Sequence, residues 1–123
     1  MKVLVLGGGG FIGSHLTGQL LEEGHIVSAI DTNDEKIQEK YTSHKNFTFY
    51  KIDISSKNSL VNKIIGDCDV VINLIAYAVP SLYIEKPLDV VDLNLFENLK
   101  IVKQCVELKK WLIQFSSCEV YGM

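Results

Sequence analysis

Three glycines near the start of the chain, Gly7, Gly10 and Gly13, are spaced three residues apart. They lie between an apolar run, residues 3–6, and a segment with helical periodicity. In a strand–turn–helix unit the first such glycine permits a tight turn, the second lets the backbone approach a pyrophosphate, and the third lets the helix pack closely on the strand. The first N–H groups of the helix then face the phosphates with a partial positive charge. A glycine-rich stretch can also be a plain turn, but this spacing favours a phosphate-binding loop.

An acidic residue, Asp31, ends the second apolar run, residues 25–30, and stands 18 positions after Gly13. A carboxylate at the end of the second strand can accept hydrogen bonds from an adenosine ribose. The alternative is a surface or helix-capping aspartate, because the residues that follow are also capping types. Together with the glycine loop, Asp31 favours a dinucleotide site. It also favours NAD over NADP, because a 2′-phosphate would meet a like charge and no arginine follows.

The remaining segments alternate between strand and helix patterns, with short links between them. The predicted strands are residues 3–6, 25–30, 47–52, 69–75 and 111–115. The predicted helices are residues 10–23, 34–41, a segment from Ser55 or Ser56 to Gly66, and 87–110. This alternation predicts an α/β fold with a doubly wound parallel sheet of strand order 3-2-1-4-5. The order 2-1-3-4-5 is the structural alternative.

Apolar periodicity predicts which helix faces cover the sheet. For the first helix the predicted core positions are Ile12, Leu16 and Leu20, and for the third they include Leu60 and Ile64. The last and longest helix has two apolar faces. The predicted core stripe is Leu88, Val91, Leu95, Leu99, Val102 and Val106, and the second face is Val90, Leu93, Ile101 and Leu108. Part of this surplus apolar surface is expected to meet another subunit.

Composition and charge exclude several classes of protein. The 123 residues are 47% apolar and 22% charged, which suits one globular domain spanning residues 1–123. A net charge of −3 without a basic cluster argues against a nucleic-acid surface or a membrane patch. No apolar run reaches the roughly 18 residues of a membrane span. The cysteines are Cys68, Cys105 and Cys118, without metal-site or C-x-x-C spacing, and no signal peptide precedes the first strand, so we expect a cytoplasmic protein with no metal.

With these residues in register, the chain resembles the extended short-chain dehydrogenase/reductases, which are NAD-dependent nucleotide-sugar epimerases, dehydratases and decarboxylases with a Rossmann fold. The resemblance covers the whole chain and rests on Gly7-x-x-Gly10-Phe11-Ile12-Gly13, Asp31, Asp53-Ile54, Leu74-Ile75-Ala76, Asn94 and Ser117-x-Glu119-Val120-Tyr121-Gly122. Within this family it is most similar to the UDP-glucuronate decarboxylase domain of bifunctional polymyxin-resistance proteins. That similarity rests on residues 11–13, 67–71, 97–99 and 117–123.

The resemblance implies a role for each matching residue, with NAD as the cofactor. The glycines Gly7, Gly10 and Gly13 would hold the pyrophosphate, Asp31 the adenosine ribose, and Asp53 and Ile54 the adenine, and Phe11, Ile12 and Asn33 would also contact the cofactor. The cofactor site would be completed by Leu74, Ile75, Ala76 and Asn94. A UDP-sugar substrate would lie against Ala78, Tyr83, Ser117 and Cys118. Ser117 would polarise the hydroxyl that is oxidised, and Glu119 would assist decarboxylation.

The resemblance leaves the reaction open between decarboxylation, 4-epimerisation and 4,6-dehydration. Cys118 stands where the decarboxylases have serine. The resemblance places the family's Tyr-x-x-x-Lys acid/base pair beyond residue 123, and Tyr121 cannot be its tyrosine, because no lysine stands four residues later. We therefore expect an incomplete Rossmann domain, truncated before the family's last strands and substrate lobe and inactive by itself. It would be a homo-oligomer or depend on a missing C-terminal part. A non-catalytic NAD-binding fragment or split subunit is the alternative.

Overall fold

Five strands form the centre of the computed structural model, which describes residues 1–122. They are β1 (Lys2–Leu6), β2 (Ile26–Asp31), β3 (Phe47–Lys51), β4 (Val70–Asn73) and β5 (Trp111–Gln114). All neighbours pair in parallel, in the order β3-β2-β1-β4-β5. The predicted doubly wound order is therefore confirmed, and the fold is Rossmann-like. Met123, part of the carboxyl-terminal motif, lies outside the described residues.

Six α-helices connect or flank these strands in the described part of the chain. They are α1 (Phe11–Glu22), α2 (Glu39–Thr42), α3 (Asn58–Gly66), α4 (Pro80–Glu85), α5 (Pro87–Val91) and α6 (Asn98–Glu107). The segment Asp92–Glu97 between α5 and α6 is a π-helix, and Cys118–Tyr121 forms a 3₁₀ turn. The single long helix predicted for residues 87–110 is thus a composite that ends at Glu107, and α4 was not predicted.

The sheet is covered on both faces, as an apolar parallel sheet requires. Alternation along β1 sends Leu4 and Leu6 into one core, where α3 and α6 supply Ile65 and Ile101. The same alternation sends Val3 and Val5 into the other core, beside α1. Because successive side chains of a strand point to opposite faces, one apolar run serves both cores.

Helix α1 approaches the sheet through small residues, not through the predicted stripe. Its buried residues are Gly13, Ser14, Thr17, Gly18 and Leu21, whereas Ile12 is 57% exposed. Leu16 and Leu20 are only partly buried. Small side chains let the helix lie close to the strands, so the apolar positions at a spacing of four residues end up at the margin of the contact. The predicted core position of Ile12 is wrong.

The ring of Tyr41 lies against Gly18 and fastens α2 to α1. A Cβ at Gly18 would lie 2.8 Å from the Tyr41 ring. The Tyr41 hydroxyl donates a hydrogen bond to Glu22, and Lys40 pairs with the same carboxylate. These hydrogen bonds, first that of Tyr41 and then that of Lys40, hold the pKa of Glu22 below its ordinary value.

The composite helix turns its predicted second apolar face, and not its predicted core stripe, to the sheet, where Leu93, Ile101 and Leu108 join the core. Its buried residues are Asn98, Ile101 and Cys105, while the predicted core positions Leu88, Val91, Leu95, Leu99 and Val106 are exposed. Leu60 on α3 is likewise exposed. The buried face contains an asparagine and a cysteine. A prediction that counts only large apolar residues therefore gives this face a lower score than the exposed leucine and valine face. In the described residues no helix is both long and apolar enough to cross a membrane.

Candidate functional site

A cleft of about 280 Å³ opens at the carboxyl edge of the sheet. Loops that follow four neighbouring strands line it, and Leu93 of the π-helical segment closes one side. The lining residues are Gly7 and Gly10 after β1, Asp31 and Thr32 of β2 and its loop, Ile52, Asp53 and Ile54 after β3, and Leu74, Ile75, Ala76 and Tyr77 after β4. In open parallel sheets, ligands bind in the crevice at this edge, where the strand order reverses.

The glycine loop turns the chain from β1 into α1. Gly7 has a φ of +82°, and its N–H donates to the Ile30 carbonyl at 2.8 Å. A Cβ at Gly13 would collide with the Gly7 carbonyl oxygen and the Gly8 backbone. At Gly10, by contrast, the nearest atom to an added Cβ is the Gly7 oxygen at 3.4 Å, so Gly10 presents bare backbone to the cleft. The three glycines therefore serve different geometric needs.

The start of α1 supplies hydrogen-bond donors next to this bare backbone. The first N–H groups of an α-helix have no partner within the helix. In α1 these belong to Phe11, Ile12 and Gly13, since Gly10 is the N-cap residue. The Phe11 and Ile12 side chains are exposed, and Gly13 is buried beneath the loop. The helix start thus presents backbone donors, an arrangement that can bind an anion.

Asp31 is fixed at the edge of the cleft by the backbone around it. Its Oδ2 accepts a hydrogen bond from the Gly9 N–H at 2.9 Å, and its Oδ1 accepts one from the Thr32 N–H at 2.7 Å. A weaker bond comes from the Asn33 N–H at 3.3 Å. The Asn33 side chain turns away and accepts from the Glu35 N–H at 2.8 Å. The carboxylate is therefore preoriented, while Asn33 contributes its backbone to the loop.

Two further glycines in the loop make close contacts that the motif analysis did not identify. A Cβ at Gly9 would collide with the Asn33 carbonyl oxygen, and a Cβ at Gly8 would lie 2.6 Å from the Ala29 Cβ. The glycine loop and the Asp31 loop are thus in direct backbone contact. The sequence does contain a signal for these two contacts. Residues 7–10 are four consecutive glycines, whereas the three-residue spacing of the motif requires only Gly7 and Gly10.

The end of β3 forms the outer wall of the cleft. Asp53 Oδ1 accepts hydrogen bonds from the Ser55 N–H at 2.9 Å and from the Ser55 hydroxyl at 2.7 Å. Ile54 is buried, and Ile52 also lines the cleft. An apolar surface beside a fixed carboxylate can hold a flat heterocycle with polar edges.

The inner wall, residues 74–77, is held by side-chain amides. Asn94 in the π-helical segment accepts a hydrogen bond from the Tyr77 N–H at 2.7 Å and donates one to the Tyr77 carbonyl at 3.0 Å. Asn94 is not among the lining residues and reaches the cleft through the backbone of Tyr77. Tyr77 and Leu93 line the cleft although neither was predicted. A tyrosine beside the predicted loop residues was the available signal for Tyr77.

These elements occur together in a known family. Residues 3–123 match the model of the NAD dependent epimerase/dehydratase family. The chain belongs to this family. The family is NAD-dependent, and the sheet order and glycine loop described above are in keeping with membership.

Solved structures with the same fold include enzymes of this epimerase/dehydratase family. PbgP3 protein from Burkholderia pseudomallei is 36% identical, with a TM-score of 0.93 over 99% of this chain and 36% of that one. A UDP-N-acetylglucosamine 4-epimerase from Methanobrevibacter ruminantium, in complex with UDP-N-acetylmuramic acid, is 32% identical, with a TM-score of 0.87 over 98% of this chain and 39% of that one. A UDP-glucose 4-epimerase from Bifidobacterium longum, in complex with NAD+ and UDP, is 28% identical, with a TM-score of 0.85 over 99% of this chain and 38% of that one. The chain therefore spans less than two fifths of each of these structures.

Several residues that the family resemblance implicates lie outside the cleft. Ser117, Cys118 and Glu119 are exposed in the 3₁₀ turn and its N-cap, where the Ser117 hydroxyl accepts from the Glu119 N–H at 3.3 Å. The Tyr83 hydroxyl donates to the Tyr77 carbonyl at 3.3 Å, and Ala78 is exposed. All five follow β4 or β5, so they share the carboxyl edge with the cleft without lining it. Their predicted roles in substrate binding and catalysis stay predictions.

Proposed function

We propose that the cleft binds NAD and that the chain is the NAD-binding portion of a nucleotide-sugar-modifying enzyme. The observation that carries this proposal is the joint placement of Gly10, Asp31 and Asp53 in one cleft. A dinucleotide lying across the edge would put its adenosine over β2 and β3, its pyrophosphate over the glycine loop and its nicotinamide half over β4. This direction follows from which strand ends carry the carboxylates.

The residues present fit such a cofactor. Bare backbone at Gly10 leaves the space that a diphosphate needs, and the free N–H groups at the start of α1 point a partial positive charge at it. Asp31 already accepts several backbone hydrogen bonds, so its carboxylate keeps one orientation in which a ribose hydroxyl can donate to it. When bound, NAD would supply the oxidation of a substrate hydroxyl; the chain itself binds and orients.

For the substrate we propose a UDP-sugar, with UDP-glucuronate decarboxylation as the reaction. Ser117 follows β5 at the same edge and would donate a hydrogen bond to the sugar hydroxyl that is oxidised. Oxidation at the 4-position puts the sugar carboxylate β to a ketone, and the enolate left by loss of carbon dioxide needs a positioned acid. Glu119 stands two residues after Ser117 and would serve there. A UDP-sugar 4-epimerase or 4,6-dehydratase is the alternative reaction.

In an enzyme that contains this chain, Glu119→Gln should lower the rate of carbon dioxide release from UDP-glucuronate by a factor of about 10² to 10⁴. This factor is the usual contribution of a general acid to the rate. NAD affinity should stay unchanged, because Glu119 lies outside the cleft. The assay measures released carbon dioxide and cofactor affinity in parallel. Glu107→Gln, an exposed carboxylate at the end of α6, is the matched control. Wild-type release by Glu119→Gln would refute the role, and interconversion of UDP-glucose and UDP-galactose would identify an epimerase.

We also propose that the protein associates with a second copy through the exposed apolar face of α5, the π-helical segment and α6. This face contains Leu88, Val91, Leu95, Leu99 and Val106. An apolar patch of this kind is uncommon on a monomer. Light scattering at micromolar concentration should give a molar mass above the 13.8 kDa of one chain. This mass should fall when the protein is diluted, and the Leu95→Asp variant should have a lower mass than wild type at the same concentration. A monomer at all concentrations would contradict this.

The three free cysteines favour a reducing compartment, which we take to be the cytoplasm.

A further inference from the structure

Two asparagines lie inside the protein beside the inner wall of the cleft. Asn73, at the end of β4, is fully buried, and Asn98, at the start of α6, is 8% exposed. A buried amide is costly unless its donors and acceptor are all paired. Here the Asn73 Nδ2 donates to Asn98 Oδ1 at 2.7 Å and to Gln114 Oε1 at 2.9 Å. The pair therefore links three elements: β4, α6 and β5.

The remaining hydrogen-bonding groups of the pair hold the backbone of the wall. Asn73 Oδ1 accepts from the Ile75 N–H at 3.1 Å, and Asn98 Nδ2 donates to the Ile75 carbonyl at 2.9 Å. Asn98 Nδ2 also donates, at 3.4 Å, to the carbonyl of Asn94, whose side chain holds Tyr77. Both polar backbone groups of Ile75 and both of Tyr77 thus end on side-chain amides. No strand pairing fixes these residues, because β4 ends at Asn73.

We infer that Asn73 and Asn98 are positioning residues that set the place of the wall and thereby the affinity for the nicotinamide half of the dinucleotide. The inference rests on the proposed function, since the nicotinamide half lies over β4 in that arrangement. The adenosine half would lie over β2 and β3, where the Asp31 and Asp53 carboxylates accept their hydrogen bonds from Gly9, Thr32 and Ser55 and not from the amide network. Binding of a ligand that occupies only the adenosine half is therefore independent of the network.

The variant Asn98→Leu tests this inference. It replaces the amide with an apolar group of similar size. Two buried groups then lose their partners, namely the Ile75 carbonyl and one N–H of the Asn73 side chain. We expect the dissociation constant for NAD to rise at least tenfold, while that for AMP changes less than twofold. Calorimetric titration measures both. Without ligand, amide exchange at Ile75 and Tyr77 should accelerate in the variant while exchange within β1 stays slow.

Two further variants complete the experiment. Asn58→Leu makes the same substitution at an exposed asparagine at the start of α3, outside the cleft, so both affinities should match wild type. Asn98→Thr keeps a buried hydroxyl that can accept from Asn73 or donate to the wall, and should give an intermediate loss of NAD affinity. It also serves if Asn98→Leu does not fold.

The outcomes separate the inference from the proposed function. Unchanged NAD affinity in a folded Asn98 variant, or equal losses for NAD and AMP, would overturn the positioning role. A wild-type protein that binds neither NAD nor AMP would refute the proposed function. In that case amide exchange at Ile75 and Tyr77 still decides whether the asparagines hold the wall.

Discussion

NAD is expected to bind the protein about 100-fold more tightly than NADP. The physical reason is Asp31, whose carboxylate is held by the Gly9 and Thr32 N–H groups on the side of the cleft that we propose for the adenosine ribose. A 2′-phosphate placed there would face a like charge, a juxtaposition that costs several kcal/mol. Each 1.4 kcal/mol is about a factor of ten in affinity, so even part of this repulsion gives two orders of magnitude. Titration with both oxidised cofactors measures the ratio.

Asp31→Asn should bring the two affinities much closer together. The amide removes the like charge, and its NH2 group cannot accept from the Gly9 N–H, so NAD binding should weaken. Asp34→Asn is the matched control, because Asp34 is three residues away, carries the same charge and pairs with Lys51 at 3.1 Å outside the cleft. Equal affinities for NAD and NADP in the wild-type protein, or an unchanged ratio in Asp31→Asn, would contradict the assignment of Asp31.

Alanine substitutions at three glycines should separate folding from binding. Gly13→Ala is expected to destabilise the fold by about 3 kcal/mol, at the upper end for overpacking, because the new Cβ meets only backbone atoms that cannot move aside. Gly10→Ala should leave stability within about 1 kcal/mol, because its Cβ meets one atom at an ordinary distance. It should nevertheless weaken NAD binding at least tenfold by filling the space for the diphosphate. Urea unfolding and calorimetric titration give the two quantities.

Gly66→Ala is the control for this series. Gly66 ends α3, has no positive φ, and has no atom within 4 Å of an added Cβ. Its replacement should keep or slightly raise the free energy of unfolding, by up to about 1 kcal/mol, because alanine favours helix. Wild-type stability in Gly13→Ala, or wild-type NAD affinity in Gly10→Ala, would contradict the roles assigned to these glycines.

The sheet could be predicted from the sequence because each strand is a run rich in apolar, aromatic or β-branched residues, bounded by turn or capping residues. Runs such as residues 3–6 carry side chains for two cores, and this pattern distinguishes a central parallel strand from an edge strand. The order then followed from general handedness rules and from the glycine loop. The same motif placed Gly10 and Asp31 at one edge, and the structure has both in one cleft.

The composite helix could not be predicted, because its geometry depends on contacts that periodicity does not encode. A regular repeat of 3.6 residues assigns the leucines and valines of residues 88–106 to the core. The protein instead buries the neighbouring face of the helix, which contains Asn98, where Asn73 can pair with it. The apolar pattern of residues 69–75 also concealed Asn73, whose amide is the centre of the network. A polar residue inside an apolar strand was the one signal for this part of the site.

The inner wall was predicted only in part for a similar reason. Leu74, Ile75 and Ala76 were identified through the family resemblance, whereas Tyr77 lies in the loop that leads to α4 and Leu93 lies in the π-helical segment. Neither element has a strong sequence signal: α4 has six residues, and the π-helix differs from an α-helix by its hydrogen bonding rather than by its composition.

The most direct test of the central claim is to map NAD binding on the backbone amides by nuclear magnetic resonance. A chain of 13.8 kDa suits this measurement. Saturable shifts are predicted on addition of NAD at amides of the glycine loop, the Asp31 loop, the end of β3 and the inner wall, with none at Gly66. These amides belong to residues 7–13, 31–33, 53–54 and 74–77. Shifts confined to the small hollow beside Lys86 and Asp89, or no shifts at about 1 mM NAD, the upper end of ordinary affinities, would contradict the account.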